Sequence, residues 1–397
     1  MTLHEWLADW SRWLWPLLAN HLWQATLFST LAFAAVLLLR RGPSRARYAI
    51  WVIVGLKFAV PSALVALLIA AAGFDMSSRP VSPENEADTL AAVSQFTAPV
   101  YETSEADAFT GDSGDHNELY CGLTFVWLSV VTFLFGLWVR RRLLFSQALK
   151  AGRAVTSGRE AEALDRARTL LGATRRVSLI VSSQVVEPGV WRVLRPAILL
   201  PEGMADHLSS AELEAVLAHE LIHVARWDNL VSNLHMALCC LLWFHPLLWL
   251  IDRRLLVERE QSCDEAVIRL GRGSEVYASS LLKVLRFCLG WKVAGVSYAA
   301  GSNLRRRVER IMANHSDGTL RISHRVVIAT VAGLVIGFSI AAGLASYGRV
   351  VAQVDSSLEG DPQGRVQARQ PGRVRGRIPG GVSGAVPGGV SGGVPGG

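Results

Sequence analysis

Four stretches of this chain are apolar enough and long enough to cross a bilayer, and no other feature restricts its fold as strongly. A span needs about 20 residues at ~1.5 Å rise each. Inside hydrocarbon the backbone must satisfy its own hydrogen bonds, so each span is expected to be a helix. The runs cover about Pro16–Leu39, Ala49–Phe74, Leu119–Val139 and Val326–Tyr347. Trp6, Trp10, Trp13, Trp15 and Trp23 precede or enter the first, as in an interfacial aromatic belt. Glu5 and Asp9 stand where a secretory signal would be basic, so a cleaved leader is not expected.

The formal net charge of +7 would suit a nucleic-acid partner if the basic residues formed a stripe. They cluster beside the apolar runs instead. Arg40, Arg41, Arg45 and Arg47 follow the first, Arg140–Arg142 follow the third, and Arg305, Arg306, Arg307, Arg310, Arg321 and Arg325 precede the fourth. That is the positive-inside pattern, so the expected partner is the lipid bilayer, with no direct nucleic-acid contact. Residues 75–118 hold ten acidic residues and one basic residue, Arg79, and read as a flexible acidic extracytoplasmic loop. Residues 1–74 thus carry the first two spans, 119–139 the third, 140–325 a cytoplasmic domain and 326–347 the fourth. Residues 348–397, rich in Gly, Pro and Val, read as a disordered tail. Lys57 falls within the second run, where a snorkelling stem is the expected arrangement. The five cysteines form no C-x-x-C and read as small buried hydrophobes.

Within residues 140–325, Glu160–Leu171 has helical periodicity, and Val177–Ser182 and Ala197–Pro201 read as short strands on either side of a Pro188–Gly189 turn. Ser209 or Ser210 is the expected N-cap of a helix running through AELEAVLAHELIHVARW. Its third turn holds H-E-x-x-H. Two imidazoles at i and i+4, His219 and His223, lie one turn apart on one face and suit two ligands of a tetrahedral Zn2+. Glu220 projects near the open position and is the expected general base.

A third ligand is needed, and H-x-x-G-x-x-H is absent downstream, which excludes a metzincin. In LLVEREQSCDEAVI, Glu260 and Asp264 share a helix face. Glu260 is the expected third ligand, with Asp264 accepting a hydrogen bond from a ligand imidazole. Glu258 and Glu265 lie on other faces, and beside Arg253, Arg254 and Arg259 they read as solvated charge. His235 and His245 sit in the apolar stretch Leu234–Leu250 and read as hydrogen-bonded structural residues. His245 precedes Pro246 and marks a break between two apolar helices, hydrophobic enough to lie against or dip into the membrane. Tyr277 and several arginines are open as oxyanion donors.

The blocks HLWQATLF, YAIWVIVGLKFAVP, EPGVWRVLRPAILLP, AHELIHVARWD, WFHPLLW and EREQSCDEAVI occur in that order. In them the chain resembles the BlaR/MecR-type integral-membrane zinc metallopeptidases, over roughly residues 17–347. The resemblance implies a mainly α membrane protein of four transmembrane helices with a cytoplasmic α+β, gluzincin-like peptidase domain and a small β-sheet. It matches Glu260 and Asp264 to the family's E-x-x-x-D element. It implies a sensor-transducer of the bacterial cytoplasmic membrane whose protease cleaves itself or a winged-helix transcriptional repressor. The best-known members carry a penicillin-binding module after the fourth span. Here the tail follows without S-x-x-K, so direct β-lactam acylation is not expected. A homodimer is compatible with this reading. Two other functions compete with it, a non-proteolytic signalling scaffold and a membrane quality-control metalloprotease.

Overall fold

The computed structural model describes residues 3–62, 64, 68, 71, 113–185, 187–271, 273–288, 306–313 and 320–359. Most of the second apolar run beyond Ser62, the acidic loop as far as residue 112 and the tail from residue 360 lie outside the described residues. The described chain is mostly helical, with α1 Leu3–Leu38, α2 Ser44–Ala59, α3 Ser113–Ala148, α4 Arg159–Leu171, α5 Ser210–Ala225, α6 Asp228–Leu241, α7 Pro246–Arg269, α8 Ser274–Cys288 and α9 Ile322–Glu359. A further helical stretch covers residues 306–312.

Three of these helices are long and apolar enough to cross a membrane, over Leu17–Leu38, Glu118–Ala151 and Ile322–Ala342. The arginines at 140–142 do not end α3, which runs on to Ala148. Charge limits how deep a helix sits in lipid, but arginine is a good helix former. Helix α2 differs from the continuous second span expected from sequence. It stops at Ala59, and Val60 turns extended at φ −121° ahead of Pro61. A residue preceding proline is driven out of the helical region by the ring. At 16 residues, α2 reaches only about 24 Å.

Lys57 also departs from expectation, because its side chain does not snorkel. It is 1 % exposed, and its Nζ donates to Ser62 Oγ at 3.1 Å and Gln24 Oε1 at 3.4 Å. The polar groups of α1 and of the turn after α2 hold the ammonium inside the helix bundle.

Four short strands form one mixed sheet in the order β1-β2-β4-β3, from Arg153–Val155, Ser178–Ser182, Gly189–Trp191 and Ala197–Pro201. Strands β2 and β4 are parallel, while β1 and β3 pair antiparallel at the edges. The stretch read as a Pro188–Gly189 turn therefore carries a strand. Strand β4 is buried along its whole length, as expected of a central apolar strand. Val155, Leu164, Leu179, Ile198 and Leu200 pack with Leu213 and Leu217 of α5 into one core.

Helix α5 is the centre of this domain. Ser209 caps it through a reciprocal box: its Oγ accepts from Glu212 N, and Glu212 Oε2 accepts from Ser209 N at 2.7 Å. Residues 212–222 are all buried, so the helix is enclosed on every side. It ends where Trp227 takes a left-handed conformation, φ 60°, beneath the Arg175 guanidinium at 3.8 Å. A non-glycine residue held there costs of order 1 kcal/mol and persists only where packing fixes it. The sharp reversal starts α6 beside the end of α5.

Candidate metal centre

Helical spacing stacks His219 and His223 one turn apart, and their Nε2 atoms lie 3.1 Å from each other. Helix α7 brings Glu260 against both. Its Oε2 is 3.4 Å from His219 Nε2 and its Oε1 3.8 Å from His223 Nε2. Zn–N and Zn–O bonds of about 2.0–2.2 Å at tetrahedral angles separate ligand atoms by roughly 3.3 Å. The observed spacings surround that value, so the donor set fits a four-coordinate zinc with one open position. Glu220 is buried and lines the same cleft of about 630 Å³. Burial pushes its carboxyl up to about 7; the Glu260 charge adds to the rise, while His223 opposes it. Burial alone would raise Glu260 too. Its hydrogen bond to His219, and the charges of His219, His223 and Arg307, outweigh that and hold it well below the usual carboxylate range.

Both ligand imidazoles are oriented from behind. His223 Nδ1 lies 2.7 Å from Asp228 Oδ2, an almost fully buried carboxylate on the first turn of α6. The other oxygen of Asp228 accepts from the Tyr48 hydroxyl of α2 at 2.9 Å. Behind His219 the expected direct bond to Asp264 is replaced by a relay. Asp264 Oδ1 is 3.5 Å from His219 Nδ1, and the Tyr277 hydroxyl lies between, 2.9 Å from that nitrogen and 2.6 Å from the carboxylate. A carboxylate only accepts, so Tyr277 donates to Asp264 and receives the His219 Nδ1–H. This fixes the tautomer that turns Nε2 toward the metal position. Tyr277 is fully buried with its hydroxyl committed, which removes it from the candidate oxyanion donors. Arg307, just before the last apolar helix, forks onto Asp264 at 2.7 and 2.8 Å and comes within 3.4 Å of Glu260.

Helix α7 is anchored on its opposite side by the start of α2 and the turn that precedes it. Glu258, read as solvated from sequence, is buried, and both its oxygens lie 2.9 Å from Arg47 Nε. The same guanidinium donates to Gly42 O and Ser44 Oγ. Glu265 accepts from the Ser44 amide at 3.1 Å, capping the start of α2. His235 Nε2 meets Leu248 O at 3.1 Å, and His245 Nε2 meets Thr26 Oγ1 at 3.2 Å, both away from the metal centre.

Sequence reasoning assigned no role at the metal centre to Asp228, Tyr48 or Arg307, and read Arg307 only as one of the basic residues before the fourth span. Asp228 had a local cue, an acid five residues beyond His223 at a helix restart. The other two come from distant segments with no motif spacing to betray them.

Three helices have the length and composition to cross a membrane, and His219, His223 and Glu260 form a cluster that could hold a metal ion beside the buried Glu220. A model of the BlaR1 peptidase M56 family matches residues 20–311, so the chain belongs to that family of peptidases. It is similar to the regulatory protein BlaR1 of Bacillus licheniformis, 36 % identical over 95 residues, which are 24 % of this chain and 16 % of that protein. It is also similar to the methicillin resistance mecR1 protein of Staphylococcus aureus, 27 % identical over 111 residues, 28 % of this chain and 19 % of the relative. The matched stretch thus spans less than a fifth of either relative's length.

Proposed function

We propose that the chain is a gluzincin-type zinc endopeptidase of a bacterial cytoplasmic membrane, with four spans and its peptidase domain in the cytoplasm. In this reading it transduces an external signal by cleaving itself or a transcriptional repressor. The observation that carries the reading is the convergence of His219, His223 and Glu260 around one point, with Glu220 in the same cleft. Those three side chains would hold Zn2+, which when bound supplies Lewis acidity for the scissile carbonyl and the attacking water. Glu220 takes the proton released by the water and returns it to the departing amine. A carboxyl raised toward neutrality suits both transfers. Asp228, and Asp264 through Tyr277, hold the imidazoles in place throughout.

The relatives named for regulation and for methicillin resistance support the signalling role. Glu220→Gln tests the reading: the variant should bind zinc as the parent does while self-cleavage and repressor cleavage fall by at least 100-fold. Cleavage at the parental rate in that variant would refute it.

A further inference from the structure

Helices α6 and α7 form a hairpin whose turn, residues 242–245, sits deep among the candidate spans. Two independent contacts fix its position. His245 meets Thr26, nine residues into the span that starts at Leu17 (26 − 17). The Trp127 indole donates to Leu241 O at 2.9 Å, nine residues into the span that starts at Glu118 (127 − 118). Nine residues of helix are about 14 Å, close to half of a ~30 Å hydrocarbon layer. Near the middle of α6, Asn233 accepts a bond from Arg142 at the basic end of α3. Hence α6 descends beside α3 and α7 returns.

The two faces of the hairpin differ. Cys239, Leu242, Leu248, Ile251 and Leu255 pack inward on Ala25, Ile50 and Val54 of α1 and α2. The outward face is also apolar but uncovered: Leu234, Leu241, Phe244, Trp249, Leu250 and Leu256 are each between 38 and 51 % exposed. Neither helix could span alone, since α6 has 14 residues and α7 turns charged from Asp252 onward. Six large apolar side chains facing water beside three spans would form an unusually extended patch. Backbone at membrane depth is tolerated here because Leu242 is buried against protein, Leu242 N bonds to Leu238 O, and His245 N bonds to Leu242 O.

We infer that the α6–α7 hairpin is re-entrant, its turn near the bilayer midplane and its outer face covered by lipid acyl chains. The helix lengths then place the metal centre. From Leu241 back to Asp228 is 13 residues, about 20 Å, so Asp228 and the adjoining His223 stand roughly 5 Å outside the hydrocarbon boundary. Trp227, 43 % exposed, sits at the depth where interfacial aromatics collect. The cleft, walled on one side by the exposed Leu256 and Val257, therefore opens at the membrane surface. It receives peptide segments lying close to the bilayer.

The test uses the full chain reconstituted in phosphatidylethanolamine/phosphatidylglycerol vesicles doped with a phospholipid carrying a diazirine at its acyl-chain end. After photolysis, labelled peptides are located by mass spectrometry, with hydroxyl-radical footprinting in parallel. Peptides containing Phe244 to Leu250 should take lipid label at a yield within about threefold of those containing Leu27 and Leu31, and resist the radical. Leu194, 83 % exposed on a loop, should do the reverse. Radical modification of Phe244 or Trp249 without lipid label overturns the inference. Protection from both probes, with cross-links between copies through this face, overturns it in favour of a dimer interface. The outcome does not depend on the peptidase reading, because Glu220→Gln protein must give the same labelling.

Discussion

Replacing Tyr277 by Phe removes one oxygen and leaves the ring that fills the core between α7 and α8. That oxygen is the only link shorter than 3 Å between His219 Nδ1 and Asp264 among the described contacts. Loss of such an orienting partner typically weakens metal binding 10- to 100-fold, or about 1.4–2.7 kcal/mol. Asp264 keeps both bonds from Arg307, so no buried carboxylate is stranded. The metal-free fold should consequently lose only the unsatisfied imidazole N–H, roughly 1–2 kcal/mol. Two assays separate the effects. Competition with a fluorescent chelator in detergent micelles gives the zinc affinity, and thermal unfolding in excess EDTA gives the metal-free stability. The expected result is a zinc Kd raised at least tenfold with the EDTA melt lowered by only a few degrees. A Kd within twofold of the parent, in folded protein, would refute the relay.

Other outcomes follow from the same geometry. Asp228→Asn should also weaken zinc 10- to 100-fold, because the amide has one accepting oxygen where the carboxylate uses two, one for the His223 Nδ1–H and one for the Tyr48 hydroxyl; Tyr48→Phe should have a smaller effect in the same titration. Arg47→Ala leaves the Glu258 carboxylate buried without its partner and should cost about 3–5 kcal/mol by denaturant unfolding, part of which returns in the Arg47→Ala, Glu258→Ala double variant. Burial alone would raise Glu212, but bonds from Lys283, Ser209 and Ser279 outweigh it and lower the carboxyl to about 2. A folded-state value below the unfolded 4.5 means stability is present above about pH 4.5 and lost as pH falls toward 2. Lys283 is partly solvated, so the amount is about 1–2 kcal/mol, and Glu212→Gln should flatten the melting temperature across that window.

How far the sequence reaches depends on the range of the interaction concerned. Features set by neighbours along one helix were legible. His219, Glu220 and His223 are ordered by helical spacing, the Ser209 cap by its box with Glu212, and three apolar helices by length alone. Glu260 could be proposed because a carboxylate helix follows the motif and a family pattern resembles it. The identity of the groups behind the ligands required the tertiary structure. A histidine's outer nitrogen takes whichever partner the fold delivers, and here Asp228, Tyr277 and Arg307 arrive from three different segments. The same reason reversed two readings. Lys57 and Glu258 are ordinary charged residues in sequence, and only the packing of α1, α2 and α7 shows that each is enclosed with its own partners. Local spacing determined that a metal could bind this chain. The tertiary contacts decided which groups, Asp228 and Tyr277, stand behind its ligands.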